Sequence, residues 1–295
     1  MSALILDCDG TLADTERDAH LPAFNATFAE LGLDVVWGVE EYGRLLRIGG
    51  GKERMATLLT PEFVARHHLP SDPGAQRELL ADWHRRKTTH YRRLIASGRV
   101  PPRPGVRRLV AEARELGWQV AVASTSQPAA VRAVLDMVFG PGSASGFELF
   151  CGDQVSAKKP APDIYLLALE GLGVGPGEAV AVEDSRQGLQ AAQAAGIPTL
   201  VTVSSYTIDE DMSGAAVVVS DLGEPDAPMT VIANQAGVRL GRYVRAADLA
   251  LLTGGRRPLR GGRTSHVGSD VVAHAPAGDV EREPQPDPVA AERDA

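Results

Sequence analysis

The chain opens with a short apolar run, Ala3–Leu6, that stops at Asp7-Cys8-Asp9-Gly10-Thr11. Four apolar residues bounded by a turn signal predict a buried strand rather than a helix. From about Glu16 to Ser97 the pattern changes. Leu21, Phe24, Phe28 and Leu31 recur at helical spacing, and further helices are expected near Val39–Leu46, Lys52–Leu59 and Ala75–Ile95. No strand is expected in this stretch. Pro101-Pro102-Arg103-Pro104-Gly105 then breaks the chain. After it, elements alternate: helix Val106–Leu116, strand Gln119–Ala123, helix Pro128–Val138, a strand around Phe147–Cys151, helix Asp163–Leu172, strand Ala179–Val182. A helix near Ser185–Ala195 ends at Gly196, a residue suited to a left-handed helix terminus, and strands are expected at Pro198–Val203 and Ala216–Val219.

Short, uniformly apolar strands alternating with helices indicate an α/β fold: a Rossmann-like parallel sheet core with helices on both faces. The helical stretch is an insertion after the first strand, an α-helical cap. Residues 1–14 and 98–225 would form the core and 15–97 the cap. Residues 226–253 carry apolar positions that fit either an extra helix or an extra strand. Residues 254–295, rich in Gly, Pro, Arg and acids, are expected to be a disordered tail. In such sheets the chemistry sits beyond the carboxyl ends of the strands.

Composition narrows the partners. The net charge of -8 argues against nucleic-acid binding, which needs a basic surface to displace counterions. No apolar run approaches a membrane span, and the N-terminus lacks the basic flank and cleavage site of a signal peptide. The two cysteines, Cys8 and Cys151, cannot build a disulfide framework and read as small buried residues in a reducing cytoplasm. A cytoplasmic monomer acting on a small molecule is expected.

Four segments carry candidate chemistry, each at a strand's end. Asp7 and Asp9 are two residues apart, so both face one side if extended, and a turn at Gly10 would swing the second over the first. Alone, this is equally an Asp-stabilised turn; a calcium loop is excluded because Leu12 stands where glycine is needed and Asp18 where glutamate is. Ser124-Thr125-Ser126 offers hydroxyls and backbone N–H groups to a phosphate, or merely caps the next helix. Lys158-Lys159-Pro160-Ala161-Pro162-Asp163 holds a lysine stiffened by two prolines, although most lysines are solvated. Glu183-Asp184-Ser185 pairs two acids that repel unless a cation intervenes, and Mg²⁺ takes such oxygen ligands; the alternative is a helix cap. One sheet would bring all four together, and the inventory fits phosphoryl transfer.

In this order, the four motifs resemble the haloacid dehalogenase superfamily of phosphohydrolases across about residues 1–222. The resemblance implies that Asp7 attacks phosphorus, that Asp9 is the acid/base, that Ser124 holds a phosphate oxygen, and that Lys159 steadies Asp7 and phosphate, with Lys158 as its rival. It implies Mg²⁺ held by Asp7, the Asp9 carbonyl and Asp184, with Glu183 as a direct or indirect partner. The insertion resembles that of the β-phosphoglucomutase subgroup. Asp14-Thr15-Glu16, His20, Phe24-Asn25 and Arg47-Ile48-Gly49-Gly50-Gly51-Lys52-Glu53-Arg54-Met55 resemble CbbY-type proteins, which implies a phosphatase acting on a sugar phosphate such as xylulose 1,5-bisphosphate.

The cap motif also has a physical reading. Gly50 and Gly51 would let backbone N–H groups approach a second phosphate, with Arg47, Lys52 and Arg54 around it. The plainer reading is a glycine turn with solvated charges. Glu16 and His20, four apart, would share a helix face toward substrate hydroxyls; Thr125 and Ser126 would add substrate contacts. A sugar phosphomutase would share every core residue. A dehalogenase fits poorly with Asp9 and the acid pair, a phosphonatase needs a Schiff-base lysine in the cap and the sequence singles none out, and a non-catalytic sugar-phosphate sensor fits poorly with the intact set Asp7, Asp9, Lys159 and Asp184.

Overall fold

A computed structural model describes residues 2–253; the expected disordered tail, 254–295, lies outside the described residues. The opening run forms β1 (Ala3–Leu6). A π-helical turn, Glu16–His20, leads into α1 (Leu21–Glu30), followed by α2 (Val39–Leu45), α3 (Gly51–Ala56), α4 (Pro61–Arg66) and α5 (Pro73–Ala96). The alternating half then gives α6 (Val106–Glu115), β2 (Gln119–Ser124), α7 (Pro128–Phe139), β3 (Glu148–Cys151), α8 (Asp163–Leu172), β4 (Ala179–Glu183), α9 (Arg186–Ala194), β5 (Thr199–Thr202) and β6 (Val217–Val219).

The strands form one sheet in the order β3-β2-β1-β4-β5-β6, with β7 (Val231–Asn234) completing the edge. The first six run parallel and β7 runs antiparallel. β1 sits centrally: Leu6 pairs with Val122 of β2 and Val182 of β4. Side-chain alternation divides the core. Leu4, Leu6, Val120, Val122, Val180 and Val182 face one way, toward α6 and α7. Ala3, Ile5, Ala121, Ala123, Ala179 and Ala181 face the other, toward α8 and α9. The second face is mostly alanine, which leaves room for Tyr165 and Ile164 of α8 to pack close to the sheet. Both cysteines are buried and unpaired, as expected.

The insertion is helical throughout and has its own aromatic core of Phe24, Phe28, Trp37, Tyr42 and Trp83. Helix α4 was not expected from periodicity, because six residues are too few to show it. Its local signal is Thr60-Pro61: the Thr60 hydroxyl accepts from Phe63 N at 3.3 Å and proline occupies the first turn. The helix expected at Lys52–Leu59 is shorter, ending at Ala56 and passing into turns.

Residues 226–253 supply both alternatives: strand β7 and a short helix, α10 (Ala246–Leu249). They are clamped by Arg108 of α6. Its guanidinium donates to the carbonyls of Leu222, Gly223 and Val244 at 3.1, 2.8 and 2.7 Å, pairs with Glu112 and Glu224, and lies 4.3 Å from the Tyr243 ring centre. Among the described residues, no helix is long and apolar enough to cross a membrane.

Candidate active site

The carboxyl ends of β1, β2 and β4 meet, and the four sequence motifs meet with them. Asp7 leaves β1 with its backbone N–H bonded to the Val182 carbonyl at 2.9 Å, so it stays in register with β4. The chain then turns back on itself: Gly10 N bonds Ala13 O at 2.8 Å and Leu12 N bonds Cys8 O at 2.9 Å. Gly10 has a φ of +88°, and a Cβ there would overlap the Asp184 carboxylate. Only glycine permits both the turn and that approach.

Lys159 settles between the acids. Its ammonium donates to Asp7 Oδ1 at 2.6 Å, Glu183 Oε1 at 2.6 Å and the Ala123 carbonyl at 2.9 Å, so all three donors are used. These contacts belong to Lys159; Lys158 and Lys159 both line the cavity. Burial would discharge Lys159, but the charges of Asp7 and Glu183 outweigh it and hold its pKa well above the ordinary lysine value. Glu183 is fully buried beneath Lys159. Its Oε1 also accepts from the buried Tyr165 hydroxyl, and its Oε2 has no partner among the described residues.

One lysine does not balance three acids. Burial, reinforced by Glu183, pushes the Asp7 carboxyl up to about 8 against the opposing charge of Lys159. Burial and the charges of Asp7 and Glu183 push Asp184 well above the carboxylate range. Asp7, Glu183 and Asp184 each offer an oxygen within 4.8 Å of the others. Hard oxygen donors, unrelieved mutual repulsion and the open side left by Gly10 fit a small divalent cation.

Asp9 is treated oppositely. Its Oδ1 accepts from Thr15 Oγ1 at 2.5 Å, His20 Nε2 at 3.0 Å and Tyr91 OH at 3.3 Å; its Oδ2 accepts from Ser126 Oγ at 2.6 Å. Burial would raise its pKa. The His20 charge and the bonds from His20, Ser126 and Thr15 prevail and hold Asp9 below the usual carboxylate range. Two carboxyls two residues apart are thus driven in opposite directions: Asp9 is held ionised by its donors, while Asp7 needs a neighbouring cation to be ionised. Ser124 is buried and its Oγ accepts from Ser126 N at 3.1 Å, so it braces the hydroxyl loop; Thr125 is exposed at the cavity lip.

Above Asp7 and Asp9 lies a cavity of about 180 Å³, roofed by the helical insertion. Glu16, His20, Gly50, Gly51, Lys52 and Arg54 line it, as the sequence suggested. Arg47 does not. It is exposed outside the cavity, and its carbonyl accepts from Gln187 Nε2 at 3.3 Å. Arg54 is not a free cation either: it donates to the Ile48 carbonyl at 3.1 Å and Tyr42 OH at 3.1 Å and lies 3.6 Å from Glu16. Tyr42 OH in turn donates to Glu16 Oε2 at 2.5 Å. Lys52 has no ion pair or hydrogen bond among the described residues.

The sequence reading missed Lys87, Tyr91, Tyr42 and Tyr165. Lys87 is buried and hydrogen-bonded to His20 Nδ1, with its ammonium 4.6 Å from the Phe24 ring centre and 5.2 Å from that of Tyr91. The signal for it was available. Trp83, Lys87, Tyr91 and Ile95 recur every four residues and form the buried stripe of α5. A lysine inside an apolar stripe marks a buried charge.

A sequence profile of haloacid dehalogenase-like hydrolases matches residues 1–196. The chain is 47% identical over 228 residues to a CBBY-like protein of Arabidopsis thaliana, covering 76% of this chain and 70% of that one. It is 45% identical over 233 residues to protein CbbY of Cupriavidus necator, covering 78% and 89%. A crystal structure of a CbbY variant from Rhodobacter sphaeroides in complex with xylulose-(1,5)bisphosphate superposes with a TM-score of 0.68 at 40% identity, covering 81% of this chain and 100% of that one.

Proposed function

The chain belongs to the haloacid dehalogenase-like hydrolases and is a phosphatase, and from that premise we propose that it removes one phosphate from a small sugar bisphosphate, xylulose 1,5-bisphosphate, using Mg²⁺. The reading rests on one observation. Of the cations that line the cavity, Lys159 is locked onto Asp7 and Lys87 is bonded to His20, whereas Lys52, beside Gly50 and Gly51, has no ion pair or hydrogen bond among the described residues. One phosphate meets Asp7; the other needs a separate cation, and Lys52 can supply it while Arg54 is committed to Glu16 and Tyr42. Support for the sugar comes from the bisphosphate bound by the Rhodobacter sphaeroides relative.

The chemistry then follows the side chains. The Asp7 carboxylate attacks phosphorus and forms an aspartyl-phosphate as the bond to the sugar oxygen breaks. Asp9 gives its proton to that oxygen. In the second half, Asp9 takes a proton from water as the water attacks phosphorus, and the bond to Asp7 breaks to release inorganic phosphate. The four donors around Asp9 favour its ionised form, which is the form needed to activate water. Ser124, with the backbone of Thr125 and Ser126, would hold a phosphate oxygen, and Lys159 keeps Asp7 oriented. Asp7 and Asp184, with the Asp9 carbonyl, would hold Mg²⁺, and Glu183 would anchor Lys159 beside them; the ion supplies neutralising charge to the phosphoryl group. Glu16 and His20 would face the sugar hydroxyls.

The test is a panel of pentose and hexose mono- and bisphosphates scored by released phosphate, for wild type and Lys52→Ala. The variant should raise KM for the bisphosphate at least tenfold and leave KM for p-nitrophenyl phosphate nearly unchanged. Equal effects on both would remove the second-phosphate role, and isomer formation without phosphate release would overturn the hydrolytic reading.

A further inference from the structure

A second groove, of about 800 Å³, lies away from the catalytic cavity between the last turns of α5 and the outer face of α7. Its floor is apolar, with Ile95, Ala133 and Met137 along it, and its rim carries Arg92, Arg93 and Arg132. All three arginines are exposed, and none makes an ion pair or hydrogen bond through its side chain among the described residues. Neighbours on the same helix behave differently. Arg85 and Arg86 are neutralised by Asp82 at 2.8 Å each, and Arg86 also by Glu30 at 2.6 Å.

Helix electrostatics explain only part of this arrangement. Arg92 and Arg93 lie near the carboxyl end of α5, where the helix dipole favours cations. Arg132 lies just beyond the first turn of α7, near the end where the dipole disfavours them, and no acid stands in that turn. The one acid on the groove, Asp136, accepts from the Ala144 backbone N–H at 3.2 Å. In a chain of net charge -8, three unpaired guanidinium groups around one groove form a local positive field. Guanidinium forks match phosphate oxygens, and the apolar floor suits the body of a small organic molecule.

We propose that this groove is a second anion site, taking a small molecule that carries at least two linked phosphate groups, held between Arg92 and Arg93 of α5 and Arg132 of α7. Such a ligand would tie the two helices together. Helix α5 bears Lys87 and Tyr91, which reach His20 and Asp9, and α7 follows the Ser124–Ser126 loop, which also bonds Asp9. The site therefore lies on the two helices that lead to the acid/base environment, without touching that environment or the substrate. It is independent of which sugar phosphate is hydrolysed.

Calorimetric titration of the full chain with pyrophosphate, in buffer free of divalent cations, tests it. Inorganic phosphate serves as the single-phosphate control. The wild type should show a binding event that Arg92→Ala/Arg93→Ala/Arg132→Ala weakens at least tenfold and that Arg85→Ala/Arg86→Ala leaves intact. Inorganic phosphate should bind there at least tenfold more weakly than pyrophosphate. Because the three arginines are exposed and make no contact with the catalytic residues, the triple variant should keep wild-type turnover of p-nitrophenyl phosphate. Superimposable isotherms for wild type and triple variant, or equal weakening in both arginine variants, would overturn the assignment.

Discussion

Replacing Lys87 with methionine separates the stability cost of a buried charge from its use. Lys87 is 5% exposed, and burial, its largest perturbation, pulls its pKa from 10.5 to about 8, with Glu16 and Asp9 opposing and Arg54 adding to the fall. The sign follows directly. Below pH 8 the lysine is charged in both folded and unfolded chains, and the folded one bears the desolvation. Between about 8 and 10.5 the unfolded chain binds the extra proton, so folding stability rises with pH, by about 1.4 kcal/mol per unit. Over the whole window the gain is about 3 kcal/mol. The stability contributed by this group is present above 10.5 and lost as pH falls through 8. Methionine fills similar volume, rests against Phe24 and Tyr91, and cannot titrate. Urea unfolding of both proteins at half-unit steps from pH 7.5 to 9.5 should show wild type gaining on Lys87→Met by about 2 kcal/mol. Other titrating groups cancel in the difference. Turnover should meanwhile fall roughly tenfold or more, because His20 loses the partner that orients it toward Asp9. A pH-independent stability difference with unchanged kcat would refute both parts of the reasoning.

Four other outcomes follow. Gly10→Ala should abolish turnover and at least a hundredfold of the affinity for Mg²⁺, read by calorimetry, because its Cβ overlaps the Asp184 carboxylate in a conformation only glycine adopts readily; chelation by EDTA should silence the wild type reversibly. Tyr165→Phe removes a buried donor to Glu183 and should cost about 1.5–3 kcal/mol in denaturant unfolding, with kcat reduced more than KM as Lys159 loosens. Arg108→Ala frees the carbonyls of Leu222, Gly223 and Val244, the last of them in the final described segment, and should cost about 2–4 kcal/mol with turnover unchanged; a loss of activity at intact stability would show that the segment does more than pack.

What the sequence disclosed depended on the range of the interaction. The parallel core was legible because β1, β2 and β4 are apolar on both faces, and each ends in a residue with chemistry: Asp7, Ser124 and Glu183. Knowing that parallel strands end together was enough to converge the motifs. The two prolines marked a held lysine, and the family resemblance, in which the lysine directly precedes proline, favoured Lys159 over Lys158. The roof of the cavity was not. Whether Arg47 or Lys52 points inward depends on backbone turns at Gly49 and Gly50, which periodicity does not encode; Gly50 adopts a φ of +104°. Pairing of Arg54 with Glu16, 38 positions apart, is a tertiary fact that leaves no local trace. Residues 226–253 stayed ambiguous for a related reason. β7 is an edge strand with exposed Val231 and Ile232 and a register shift opposite Val218 and Val219, so it shows no alternation. Arg108 reaches the segment through the Val244 carbonyl, a group that every residue has.

The distribution of donors around Asp9 links the inserted helices to the chemistry. Of the four groups that bond its carboxyl, only Ser126 belongs to the sheet's own loops; Thr15, His20 and Tyr91 come from the insertion or its entry. His20 is itself held by Lys87 from α5. Each bond favours the charged carboxylate, so with all four in place Asp9 is held ionised, the form in which the proposed mechanism uses it as a base. Were the insertion to swing away, three of the four donors would leave together. Solvent would replace them, and the carboxyl would return toward the ordinary range, where a proton is easier to acquire before substrate binds. One side chain can then enter the reaction as an acid and leave it as a base, because its surroundings are built from two pieces of the chain rather than one. Asp7, two residues earlier, takes its partners from the sheet: Lys159 and the β4 backbone. On the proposed mechanism the nucleophile stays fixed while the acid/base is tuned, which is a reason for the insertion to leave the chain shortly after Asp9 rather than elsewhere in the fold.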